Sequence, residues 1–274
     1  MVLSMNTYRE RPHGRIAVPR QFEMRGKYAL DGEKEINPAN ISEVTSILQK
    51  AFGWSTRVLT EQFESNGKEY VSPTLIITTD PIESASGGNP SIDGPFYDPA
   101  DNTVYVNPTF FQKDLKKLDH HIWAVTVAYC VLHEVGHHVQ FLQESQDYVK
   151  NEDPNPHHRN LQIIARELQA DCYAGMLINT RNLETNGKTL DDGDTKEVQI
   201  DAGDIGDDRI MHHGHIPFIP WLSTHGKAKM RQEAVSLGLG LTNVSQVPEL
   251  DYFYDIAHEV YEIWKRKRDT VSKK

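Results

Sequence analysis

Residues 122–142 read IWAVTVAYCVLHEVGHHVQFL, and the rest of the chain is best understood outward from them. Ile122, Trp123, Val125, Val127, Ala128, Val131 and Leu132 leave almost no polar face, so the pattern predicts a buried helix. Inside it lies His133-Glu134-Val135-Gly136-His137. A helix turns about 100° per residue, so side chains four apart project from one face, about one turn apart. His133 and His137 can therefore hold one metal ion from the same side. Glu134, rotated slightly away, can reach a water without taking a coordination position. Buried and unpartnered, these three polar groups would cost on the order of several kcal/mol. A metal ion answers for all of them. The motif implies zinc and hydrolysis, with Glu134 as general base.

Two imidazoles do not complete a catalytic zinc site, which needs a third protein ligand. A second helix, predicted over Leu161–Ile178, offers one. Ile163, Ile164, Leu168, Cys172 and Met176 form its apolar side. Glu167 and Asp171 are four apart and share a face. Glu167 can ligate, and Asp171 can accept the N–H of a ligating His, fixing its tautomer. The alternative is an ordinary surface carboxylate pair. Ala170, Cys172, Ala174 and Gly175 beside Asp171 favour a packed setting.

Composition excludes several classes. The chain has 274 residues and a net charge of −10, with a pI near 5.7, which argues against a nucleic-acid or anionic-membrane binder. Two cysteines, Cys130 and Cys172, make no disulfide framework and suit a reducing compartment. No run approaches the ~18–20 apolar residues of a membrane span. The Arg-containing N-terminus has no apolar core of the secretory type, so the expected location is cytoplasmic. Nothing in the sequence speaks to oligomeric state.

Along the chain, residues 1–36 read as a polar, extended arm, partly disordered, and 37–268 as one domain. A helix is predicted over Pro38–Phe52, capped by Asn40 or Ser42. Leu75–Thr78 reads as a strand. Pro95–Tyr97 and Thr103–Val106 read as a hairpin around Asp98–Asn102, followed by a short helical turn at Phe110-Phe111. Asp119 is a cap for the long helix. Gly136 reads as leaving room for the metal or a neighbouring strand. Asp147–Asn160 reads as a polar loop with solvated His157 and His158, and Thr180–Asp204 as a surface excursion. Further helices are predicted over Ala202–Met211, Lys227–Leu237 and Leu250–Lys267. The expected fold class is α+β, mostly helical, with a small sheet and hairpin preceding the active-site helix.

Taken together, several segments resemble the bacterial neutral zinc metallopeptidase family, which is zincin-like. They are Gly94-Pro95-Phe96-Tyr97, Asp101 with Val104-Tyr105-Val106, His133–Gln140, Glu167–Gly175, Ile205–Arg209, and Thr224-His225-Gly226 with Arg231. They span roughly Ser72 to Leu237. The resemblance implies a zincin fold, zinc ligands His133, His137 and Glu167, and Glu134 as base. Many relatives carry an N-terminal membrane anchor and cysteines around the Gly-Pro-Phe-Tyr segment. This chain departs from that pattern at both places.

The expected activity is zinc-dependent hydrolysis of a peptide or protein substrate. The alternative is a catalytically silent, zinc-stabilised binding or regulatory protein. An oxyanion donor is sought at His225 first and Tyr105 second. The Val104–Asn107 strand is expected to be a sheet edge along which substrate pairs. Cys130 reads as a small buried hydrophobe, Asp207, Asp208 and Arg209 as a local ion-pair and capping network, and His212, His213 and His215 as a minor alternative metal site.

Overall fold

The computed structural model describes residues 16–18, 36–113, 124–143, 155–187, 192–208 and 224–271. The fold is α+β and zincin-like: a helical body with one small sheet on its flank. Helix α1 spans Ile41–Ser65, with the Asn40 side chain accepting from the Glu43 N–H at 3.3 Å. It runs well past Phe52 because Trp54, Val58, Leu59 and Phe63 continue the buried stripe through Gly53.

Four strands follow the order β1-β2-β4-β3, where β1 is Ile16–Val18, β2 Thr74–Ile77, β3 Phe96–Asp98 and β4 Thr103–Val106. β2 and β4 are parallel, and the β3–β4 hairpin is antiparallel. β1, inside the stretch read as a polar arm, pairs antiparallel with β2. Leu75, Ile77, Val104 and Val106 face the helical core, while Ile76, Ile82 and Tyr105 form a small cluster on the opposite face.

This order corrects the expected substrate edge. β4 is paired on both sides, so it presents no free edge; the outer strand beside the helices is β3. The peptide directions follow from the ladder. Thr74 N–H donates to the Asn102 carbonyl and Thr78 N–H to that of Val106, so the even-numbered β4 groups face β2. Thr103 and Tyr105 are left to pair with Asp98 and Phe96. The N–H and C=O of Tyr97 therefore point outward.

After the short α2 (Phe110–Lys113), α3 (Ala124–Leu142) runs through the centre of the molecule. The expected cap Asp119, and Ile122 and Trp123, lie outside the described residues. α4 (Pro156–Glu184) is longer than its predicted span at both ends. Asn155 caps it, Pro156 occupies the first turn, and His157 and His158 sit on the helix rather than in a loop. His157 is half-buried, its ring 3.5 Å from that of Tyr261.

The acidic stretch read as a surface excursion contains α5 (Asp192–Asp204), whose Val198 and Ala202 are fully buried. α6 (Ala228–Gly238) and α7 (Leu250–Val271) complete the body. α3, α6 and α7 all pack on α4. Two glycines allow the closest of these crossings. A Cβ on Gly175 would strike the Val235 carbonyl, and one on Gly238 would strike that of Cys172. Gly136 does the same between α3 and α4: its Cβ would lie 2.8 Å from the Ala170 carbonyl oxygen. The space it leaves is filled by the α4 backbone, not by a strand or the metal position.

Candidate metal centre

His133 and His137 project from α3 towards Glu167 on α4. His133 Nε2 lies 3.4 Å from one Glu167 oxygen and His137 Nε2 3.3 Å from the other. One donor atom from each of the three residues lies within 4.8 Å of the others. A tetrahedral zinc with bonds of ~2.0–2.1 Å has ligand–ligand edges of about 3.3 Å, and each imidazole lies at about that distance from its own Glu167 oxygen. The donor set, two imidazoles and a carboxylate, is of the kind zinc accepts. The triad is a candidate metal site.

Different partners hold each imidazole. His133 Nδ1 lies 2.8 Å from Asp171 Oδ1 and donates to it, leaving Nε2 to face Glu167. Asp171 is completely buried and accepts three further bonds, from Tyr129 Oη at 2.6 Å and from Arg231 Nη2 at 2.8 Å and Nε at 2.9 Å. Arg231 is also completely buried, and its third nitrogen lies 3.6 Å from Glu167. His137 Nδ1 donates instead to the Gln140 amide oxygen at 2.9 Å. Gln140 Nε2 in turn donates to the Arg166 carbonyl and to the Gln169 amide oxygen, and Gln169 Nε2 reaches the Pro248 carbonyl at 2.8 Å.

Charge follows this geometry. Burial pushes the Glu167 carboxyl up, but His137 and His133 together outweigh it and hold Glu167 well below the usual carboxylate range. Asp171 is likewise pushed up by burial and drawn lower on balance by Arg231 and His133. Burial opposes the Arg231 charge, but Asp171, Tyr129 and Glu167 keep it firmly cationic. Glu134 goes the other way: burial raises its pKa. Its Oε2 accepts the outward Tyr97 N–H at 2.9 Å, so the middle of α3 is tied to the β3 edge.

A cleft of about 610 Å³ opens on this centre, lined among others by His133, Glu134, His137, Glu167, His225, Arg231 and Cys130. His225 sits on a turn built by Asp207, which accepts from the His225 N–H at 2.8 Å, the Gly226 N–H at 2.9 Å and His225 Nδ1 at 3.2 Å. That bond to Asp207 raises the His225 pKa. Asp208 accepts from the Ala228 N–H at 2.7 Å and so caps α6 from outside the helix. Arg209, His212, His213 and His215 lie outside the described residues.

Tyr105 is not in this cleft. It lies on the far face of the sheet, stacks on Phe96 and donates to Asp101 at 2.6 Å. Strand alternation explains this, since Val104 and Val106 take the helix-facing positions. Cys130 is only half-buried and borders the cleft, its thiol pushed well up by burial. Sequence reasoning gave no role to Gln140 or Arg231, although both stand in the segments quoted above. The signals were a glutamine three residues after His137 and a lone cation on an α6 face carrying Ala228, Ala234 and Val235.

Fold and triad together define a zincin-like α+β protein with a candidate His-His-Glu metal site. Residues 20–250 match the family described as "Putative neutral zinc metallopeptidase", and the chain belongs to that family. It is similar to the uncharacterized protein YpfJ of Escherichia coli (strain K12), 35% identical over 173 residues, covering 62% of this chain and 59% of that protein. It is also similar to the uncharacterized protein Rv2575 of Mycobacterium tuberculosis (strain ATCC 25618 / H37Rv), 31% identical over 180 residues with the same shares. The matched region thus spans 59% of the length of these relatives. No solved structure matches the chain. Among the described residues, no helix is long and apolar enough to cross a membrane.

Proposed function

We propose that this chain is a zinc-dependent peptidase with His133, His137 and Glu167 as ligands. The observation that carries the reading is the orientation of both imidazoles. Each Nδ1 is engaged by an acceptor, so Nε2 is the ring nitrogen that each imidazole turns towards Glu167 and offers to an ion. An ion held there supplies Lewis acidity for hydrolysis. The chain supplies the rest. Glu134, with a raised pKa and one oxygen tied to Tyr97 N–H, takes the proton of the attacking water through its other oxygen and returns it to the leaving amine. His225 donates to the developing oxyanion. Its Nδ1–H is committed to Asp207, so Nε2 carries a hydrogen only in the imidazolium form, which the raised pKa favours.

The test is Glu134→Gln. The variant should retain about one zinc per chain by metal analysis and lose chelator-sensitive peptide hydrolysis by a factor of roughly 10²–10⁴. Unchanged turnover removes Glu134 as the base. Zinc-loaded wild-type protein that cleaves nothing in a chelator-controlled peptide library supports the silent, zinc-stabilised reading instead. Glu167→Ala should weaken zinc binding sharply; tight stoichiometric zinc in that variant places the third ligand elsewhere.

A further inference from the structure

The β3 edge beside the centre is nearly bare of donors. Tyr97 presents its N–H outward, and that N–H is already taken by Glu134. β3 is three residues long, so Tyr97 is its one outward-facing position. The residues two away on either side, Pro95 and Pro99, lie in the bend and the turn at its ends and have no N–H. A peptide laid along β3 finds the outward Tyr97 carbonyl but no ladder of N–H groups to answer its own carbonyls. Proline at such positions is how natural sheets block strand addition.

The cleft walls offer a different grip. Tyr97, Phe110, Phe141, Ile163 and Ile205 line it, and all five are half-buried, with apolar surface still open. They come from five places in the chain: β3, the start of α2, α3, α4, and the segment after α5. Phe110 is seated by a glycine. Gly94 has φ +79°, and a Cβ there would lie 3.2 Å from the Phe110 ring. Tyr97 is fixed against His138 and Phe141, ring to ring at 5.3 and 6.1 Å. These rings are therefore placed by surrounding structure.

We infer that the cleft holds its peptide by a bulky apolar side chain beside the scissile bond, not by β-strand pairing. This rests on the peptidase reading above and adds the substrate class: peptides carrying Leu, Ile, Phe or a similar residue next to the bond cut. Selectivity then resides in side chains.

The test uses the zinc-loaded protein and matched peptides that differ only in the residue beside the scissile bond, Leu or Phe against Gly or Asp. The apolar members should be favoured in kcat/KM by roughly tenfold or more. Replacing amides away from the scissile bond by esters, which removes backbone N–H groups, should change kcat/KM by less than about threefold, since no ladder depends on them. Phe141→Ala should narrow the apolar preference. In parallel, labelled peptides are bound to the Glu134→Gln protein and followed by anisotropy, with the same order of preference expected. Chelator-sensitive cleavage that is indifferent to the side chain, or that collapses on ester replacement, overturns the inference and leaves the peptidase reading standing. Absence of all cleavage removes the peptidase reading. The binding series then decides: equal affinity for apolar and polar peptides overturns the apolar grip, and tighter apolar binding upholds it.

Discussion

His133 and His137 sit one turn apart on the same helix, yet they are supported by opposite kinds of chemistry. Behind His133 stands an ionic cluster, Asp171 with Arg231 and Tyr129, sealed from solvent. Behind His137 stands a relay of neutral amides, Gln140 to Gln169 to the Pro248 carbonyl. A buried ion pair is costly to break from one side, because the abandoned charge has no solvent to turn to. An amide relay fails more gently, since each broken link leaves a neutral dipole. One imidazole is thus held by a support that is nearly all-or-none, the other by one that can be weakened in steps.

The largest effect is expected at the ionic support. Asp171→Ala strands the Arg231 guanidinium and removes the acceptor of His133 Nδ1. Urea unfolding of the metal-free variant should show a loss of about 3–5 kcal/mol, accompanied by weaker zinc binding. A loss below about 1 kcal/mol, the scale of an exposed ion pair, breaks the contrast. Gln140→Leu should cost less, about 1–3 kcal/mol. In chelator competition its zinc affinity should fall roughly 10–100-fold. If Gln140→Leu proves the more damaging of the two, the ranking of the supports is reversed.

Gly136 lies between the two imidazoles, against the α4 backbone, so Gly136→Ala disturbs both supports together. Overpacking of about 1–3 kcal/mol is partly offset by about 1 kcal/mol of helix propensity. A small net destabilisation is expected in thermal melts, with modestly weaker zinc binding. A more stable variant with unchanged zinc affinity would show that α3 and α4 can separate without harm. The smallest effect on the metal is expected at His225. His225→Gln should leave zinc affinity unchanged and alter the pH profile. With the imidazolium as the proposed donor and its pKa raised, wild-type kcat/KM should be present below that pKa and fall as pH rises through it. The glutamine variant should lack that limb; a profile with the limb intact removes His225 as the donor.

Much of this centre is legible in sequence because helical spacing carries it. His133/His137 and Glu167/Asp171 each repeat at four residues, and apolar neighbours announce burial. The hairpin is legible from its turn residues. What escaped depends on long-range packing. Nothing local says that Arg231 will meet a carboxylate 60 residues earlier; that follows from the glycine-permitted crossing of α4 and α6. β1 escaped because a strand of three residues has no readable period. The order of the sheet escaped because a hairpin and a strand can be arranged with either partner at the edge. α5 escaped because its acidic residues and glycines mask the few positions it buries. Tyr105 was misplaced by the same gap, since a strand residue's face is fixed only when the sheet finds its helices.

The crossing of α4 and α6 has a consequence for the order of events during synthesis. The candidate metal donors and the proposed base Glu134 are all made before residue 168, while the cation that neutralises Asp171 arrives with α6. Until α6 emerges and its Gly238 settles against Cys172, the Asp171 carboxylate lacks its counterion and His133 lacks a fixed support. A nascent or truncated chain ending before Arg231 would carry the ligands without the assembled centre. The centre is therefore completed only when the body around it is.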